Sequence, residues 1–227
     1  MNESREPFAF AELLPLRDQI AQMSPLEPYQ GRDGSVLSFR RYDADSRTHL
    51  ILIHGSSGHS AHFHLFANHL SERNVANVYA PDLRGHGPSP QRRGDIDYIG
   101  QLEDDLADLI AHINKSASKD ARFMVGGFSS GGGLTLRFAG GPHGHLAQGF
   151  VLLAPYLGHA APMVKRNAGG WANANILKIA VVALLDGFGI KRFNGTQVLR
   201  FNLPETYRNG YEGRLSLGPP YERARHG

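Results

Sequence analysis

The chain has 227 residues, 41% of them hydrophobic and 20% charged, with a formal net charge of +3. That length suits one sizeable domain with a single core, and this composition is not that of a disordered polymer. Lysines and arginines are interleaved with acids and form no basic stripe, which argues against a nucleic-acid partner; the lack of cysteine excludes a disulfide framework, a thiolate zinc site and a cysteine nucleophile.

The first segment, Phe8 to Met23, is amphipathic and is expected to form a surface helix interrupted near Pro15. It has no basic start followed by a long apolar core, so it does not read as a signal peptide. Gly34 to Ala44 reads as an exposed antiparallel strand, because its apolar alternation is weak. "HLILIHG", His49 to Gly55, is instead a continuous apolar run, as expected of a strand buried on both faces of a parallel sheet. Phe63, Phe66, Ala67 and Leu70 then define one apolar helical face.

A strand is predicted over Val75 to Asp82, and a helix over Ile99 to Ala117 with Leu102, Leu106, Leu109, Ile110 and Ile113 as its buried stripe. In its early turns, Glu103, Asp104, Asp105 and Asp108 complement the helix dipole. "ARFMVGGF" predicts a strand that leads through a glycine run into a helix around Leu134 to Ala139. A further strand follows at Gly149 to Pro155. Strand and helix alternate four times, which predicts an α/β fold with a mostly parallel sheet. Beyond Tyr156 this rhythm ends. The apolar segment "WANANILKIAVVALLDGFGIKRF" reads as helical, and its longest run, Ile179 to Leu185, is far short of the roughly 20 residues needed to span a bilayer. A soluble, cytoplasmic protein is the default expectation.

Three motifs carry chemistry. Gly127, Phe128, Ser129, Ser130 and Gly131 match G-x-S-x-G with Ser129 at the centre, preceded by a predicted strand and followed by a predicted helix. The run has neither a G-K-[ST] ending nor a G-x-G-x-x-G register, so it is not a phosphate loop. "HGSSG", His54 to Gly58, follows the buried strand and can aim backbone N–H groups across the strand ends. An attack by Ser129 on a carbonyl needs two N–H donors for the developing oxyanion, and Ser130 and Ser56 are the candidates. The third motif is "PDLRGHGPS", Pro81 to Ser89.

In this order and spacing, "ILIHGSSGHS", "YAPDLRGHGPS" and "GGFSSGGG" resemble the α/β-hydrolase superfamily, and within it serine hydrolases similar to monoacylglycerol lipases and lysophospholipases. The resemblance covers about residues 28 to 156. It implies an eight-stranded, mostly parallel sheet, a Ser, acid and His triad in that chain order, and no metal or organic cofactor. Ser129 then corresponds to the nucleophile, Ser130 and Ser56 to the oxyanion donors, and His54 to a residue shaping the oxyanion loop. Asp82, Arg84 and His86 correspond to structural residues after the fourth strand. Serine at the elbow separates the chain from haloalkane dehalogenases and epoxide hydrolases, which use aspartate.

His59, His62, His64 and His69 raise a metal site as a rival, but no nearby carboxylate completes a ligand set, and a solvated helix face is the expected reading. The family's late acid and base have no visible counterpart. After Ser129 the histidines are His143, His145, His159 and His226, with His159 and His226 the fallback bases, and Asp186 is the only aspartate. Residues 157–227 are therefore expected to form a partial helical cap on a core spanning 1–156, with the last two strands missing and little or no turnover. The expected function is hydrolysis of a small-molecule, lipid-like acyl ester, the alternatives being a non-catalytic ligand-binding homologue or an acyltransferase. Trp171, Ile176, Ile179, Leu184 and Leu185 would line an acyl pocket, pack on the core or touch a membrane surface.

Overall fold

A computed structural model describes residues 22–158 except 57, 89 and 91, together with 161, 172–193, 196–201 and 214–216. The expected helix over Phe8 to Met23 falls almost wholly outside these residues, and its last two, Gln22 and Met23, are not helical.

The chain first forms β1 (Leu26–Gln30), β2 (Val36–Tyr42) and β3 (Thr48–Ile53). A 3-10 turn over Ser60–Phe63 leads into α1 (His64–Glu72), and β4 (Asn77–Asp82) follows. Next come α2 (Gln101–Asn114), β5 (Arg122–Phe128), α3 (Ser130–Gly140) and β6 (Gly149–Leu153). These six strands make one sheet in the order β1-β2-β4-β3-β5-β6. The pairs β3·β4, β3·β5 and β5·β6 are parallel, whereas β1·β2 and β2·β4 are antiparallel.

Alternation along β3 divides the core between two faces. Ile51 and Ile53 join Phe39, Leu106, Leu109, Ile113, Val125, Leu134 and Phe138 under α2 and α3. Leu50 and Leu52 point the other way, into a cluster with Tyr42, Phe63, Ala67 and Val78 under α1. The apolar run of "HLILIHG" follows from this double coverage.

Three expectations are corrected. β2 is an interior strand rather than an exposed one: Phe39 packs edge-on against Tyr29 and His112, and Tyr42 is buried beside His64. Its arginines hide this, because Arg40 and Arg41 keep the alternation weak while the buried partners come from distant elements. The helix expected over Leu134 to Ala139 begins at Ser130, four residues earlier than its apolar positions suggest. The segment after Tyr156 is not purely helical, since β7 (Ala172–Ala174), β8 (Gln197–Phe201) and β9 (Arg214–Ser216) form a second, antiparallel sheet around α4 (Ile176–Gly187) in sequence order. Among the described residues no helix is long and apolar enough to cross a membrane.

Candidate active site

Ser129 sits between β5 and α3 with φ 53° and ψ −118°, a conformation that costs a non-glycine residue roughly 1–3 kcal/mol. Three hydrogen bonds hold it there. Its N–H donates to the Leu153 carbonyl at 3.0 Å, and its carbonyl accepts the N–H groups of Tyr156 at 2.8 Å and Gly133 at 3.2 Å. The flanking glycines are required sterically. A Cβ on Gly127 would lie 2.2 Å from the Gly131 carbonyl oxygen, and one on Gly131 would lie 2.4 Å from that of Ile53. The turn therefore folds only if both positions lack side chains, which explains the spacing of the motif.

The loop after β3 meets this turn. A Cβ on Gly55 would stand 3.2 Å from the Ser129 Cβ, so the two backbones are in near contact. The Ser56 hydroxyl donates to the Ser130 hydroxyl at 2.9 Å, joining the two candidate oxyanion residues across 74 positions of sequence. His54 anchors the loop from below: its Nδ1–H donates to the Gly55 carbonyl at 2.8 Å, and its Nε2 accepts the Leu83 N–H at 3.1 Å. Both ring nitrogens are thus committed. Burial, then the neighbouring His86, holds its pKa well below the ordinary histidine value, so the ring is neutral.

The loop after β4 is tied down by charge. Arg84 forms a fork with Asp105 on α2, at 2.7 and 2.9 Å, and its other nitrogen reaches Asp33 at 2.9 Å. Burial raises the Asp105 pKa despite this partner, while the Asp105 hydrogen bond raises that of Arg84. Asp82, itself buried, accepts the Ser60 N–H at 2.6 Å, and a Cβ on Gly87 would collide with its carboxylate at 2.4 Å. His86 donates from Nδ1 to the Arg84 carbonyl at 3.0 Å, with its ring centroid 5.0 Å from that of His54.

The histidine cluster is not uniformly solvated. His64 is buried and its Nδ1 lies 3.0 Å from the Tyr42 hydroxyl, whereas His62 and His69 are exposed. Burial, then His62, lowers the His59 pKa to about 4. No group of three His, Asp or Glu side chains among the described residues is arranged to hold a metal ion.

A cleft of about 490 Å³ opens beside Ser130, with Gly55, Ser56, Leu83, Leu134, Tyr156 and Leu157 among its walls. Ser129 Oγ makes no hydrogen bond among the described residues. His143 pairs with Asp104 at 2.7 Å, but beyond the far end of α3, whose 11 residues separate it from Ser129 by roughly 16 Å. His145 lies two residues further on, so neither histidine reaches the elbow. His159 and His226 lie outside the described residues, as does the side chain of Asp186.

A family profile described as serine aminopeptidase, S33, matches residues 44–195, about two thirds of the chain. The protein belongs to this family of α/β hydrolases. No curated protein sequence matches it. Among solved structures, this S33-family chain is similar to a soluble variant of monoglyceride lipase from Saccharomyces cerevisiae in complex with a substrate analogue. The TM-score is 0.62 and the identity 20%, over 85% of this chain and 64% of the other. An α/β hydrolase from Penicillium sp. sh18, GrgF, gives 0.54 and 19%, over 85% and 62%. A bacterial membrane phospholipase A gives 0.52 and 23%, over 69% and 46%. The S33-family chain thus spans about half to two thirds of the length of these structures, and the likeness is one of fold.

The sequence reading missed one part of the site. Ser130, Gly133, Leu134 and Arg137 recur at i, i+3, i+4 and i+7, and all four line the cleft. That spacing was visible, but the glycines masked the start of the helix.

Proposed function

We propose that this protein is a serine hydrolase that cleaves carboxylic esters of apolar acyl groups through an acyl-enzyme on Ser129. The observation that carries the reading is the strained, firmly bonded Ser129 at the N-terminus of α3, its hydroxyl without a hydrogen bond among the described residues and the next residue, Ser130, lining a largely apolar cleft. In the reaction Ser129 Oγ bonds to the carbonyl carbon and passes its proton to a general base. The oxyanion accepts the N–H groups of Ser130 and Ser56. Collapse expels the alcohol, which takes that proton, and water then splits the acyl-enzyme to release the acid and restore the serine. His159 and His226 remain the candidate bases. The core over 1–156 and the segment 157–227 act as catalytic body and cap. Contact of the cap with a lipid surface is supported by Ile176, Leu177, Leu184 and Phe188, each more than 60% exposed on or just after α4.

The test is covalent labelling by an alkyl fluorophosphonate, read by mass spectrometry, with release of alcohol and acid from 4-nitrophenyl octanoate measured alongside. Labelling confined to Ser129 and lost in Ser129→Ala is expected. Ligand binding without labelling selects the non-catalytic reading, and acyl transfer to an added alcohol in preference to water selects the acyltransferase.

A further inference from the structure

Arg137 is the one charged residue lining the cleft beside Ser130 among the described residues, and it stands at the border with an adjacent cleft lined by Glu103, Asp104 and His143. It lies seven positions after Ser130 on the same face of α3, which places it about 10 Å along the helix axis from the oxyanion donor. Between the two ends the walls are mostly apolar, with Leu83, Leu102, Leu134 and Leu157, and carry His86 and Tyr156 as well. Arg137 is also held in place. One terminal nitrogen forms an ion pair with Glu103 on α2, whose side chain is 12% exposed and whose second carboxylate oxygen is buried without a hydrogen-bond partner. The remaining guanidinium N–H groups make no hydrogen bond among the described residues, and the side chain is 54% exposed.

A guanidinium that pairs with one carboxylate and keeps further donors without a hydrogen bond is suited to planar or tetrahedral oxyanions. A wholly apolar chain laid along this cleft offers those half-exposed donors nothing, whereas a chain ending in an anion beside Arg137 satisfies them. We infer that the cleft takes an ester with one arm that is apolar near the scissile carbonyl and carries a carboxylate or phosphate about 10 Å away, where Arg137 binds it. This rests on the assignment of Ser129 as nucleophile and narrows its substrate class to anionic amphiphiles.

Three fluorophosphonates test it on the full chain: one with an octyl arm, one with the arm ended by carboxylate and one ended by phosphate. The rate of Ser129 labelling is read by mass spectrometry. At least one anionic probe should label about tenfold faster than the octyl probe, and the faster of the two identifies the anion. In Arg137→Gln the ratio of anionic to octyl rates should fall to about one, in Arg137→Lys it should lie between, and in Arg47→Gln, at a remote exposed site, it should stay at the wild-type value. Labelling at Ser129 with no anionic preference in the wild-type protein overturns the inference and leaves the nucleophile assignment standing. An anionic preference that persists in Arg137→Gln also overturns it. Labelling by none of the probes overturns both.

Discussion

The hydroxyl of Ser56 donates to the hydroxyl of Ser130 at 2.9 Å, linking the loop after β3 to the first turn of α3. The bond ties together the two residues proposed as oxyanion donors, because each hydroxyl belongs to one of them. Removing either partner should cost about 1 kcal/mol of stability, and removing both should cost less than the sum. A double-mutant cycle on Ser56→Ala and Ser130→Ala, read by urea denaturation, should give a coupling of about 1 kcal/mol. Additive losses would show that the two loops are positioned independently.

Ser129 pays for its position in backbone strain, and glycine adopts φ 53° without that cost. Ser129→Gly should therefore raise the unfolding free energy by about 1 kcal/mol while abolishing covalent labelling. Chemical denaturation measures the first and mass spectrometry the second. A less stable Ser129→Gly would mean that the side chain contributes to packing.

Gly127 should behave in the opposite sense. A methyl group there meets the Gly131 carbonyl at 2.2 Å, and backbone on both sides prevents retreat. Gly127→Ala should lose about 3 kcal/mol in the same denaturation experiment.

Arg84 and Asp105 form a largely buried fork that pins the loop after β4 to α2. Arg84→Met strands a buried carboxylate and should cost about 3 kcal/mol, whereas Arg84→Met combined with Asp105→Leu should recover much of the loss. Thermal unfolding of the three proteins discriminates a net-stabilising pair from one that mainly fixes the loop.

Acid should destabilise the fold before the carboxylates titrate. His54 is neutral in the folded protein because its pKa lies well below 6.5, and unfolding restores the ordinary value. The unfolded chain therefore binds more protons at mildly acid pH, so this stability is complete above 6.5 and is lost as pH falls toward the folded pKa. Stability at pH 5 should therefore be lower than at pH 7. His59, whose folded pKa is about 4, acts in the same direction over 6.5 to 4. Asp105, with a raised pKa, opposes the trend only near the carboxylate range. Urea midpoints at the two pH values measure the effect, and a flat profile would place a compensating charge beside His54.

Much of this architecture was legible, for reasons that can be located. β3 was readable because both its faces are covered, so every residue from Leu50 to Ile53 had to be apolar. Ser129 was readable because the turn tolerates only glycine two places before and after it. β2 was misread because Phe39 and Tyr42 depend on partners, Tyr29, His112 and His64, that lie far along the chain. His64 falls off the polar face that His62 and His69 share, but its partner, the Tyr42 hydroxyl, lies on another element and was not legible. The acids early in α2 were read as dipole complements, yet Glu103, Asp104 and Asp105 each hold a cation from another element. β8 and β9 are too short, at five and three residues, to impose an apolar period. Arg137 escaped because its role is set by a cleft rather than by a motif.

The three hydrogen bonds at Ser129 also set a timescale. Its amide is bonded to the last residue of β6, and its carbonyl serves both α3 and the chain beyond β6, so it is freed only when the β5–β6 pair and the first turn of α3 open together. The Ser129 amide proton should exchange with solvent at the rate of the slowest cooperative opening of the domain, alongside Val125 in the middle of β5. Ser129, strained as it is, is then among the least mobile residues of the fold, and any motion that admits substrate must come from the surrounding cleft walls.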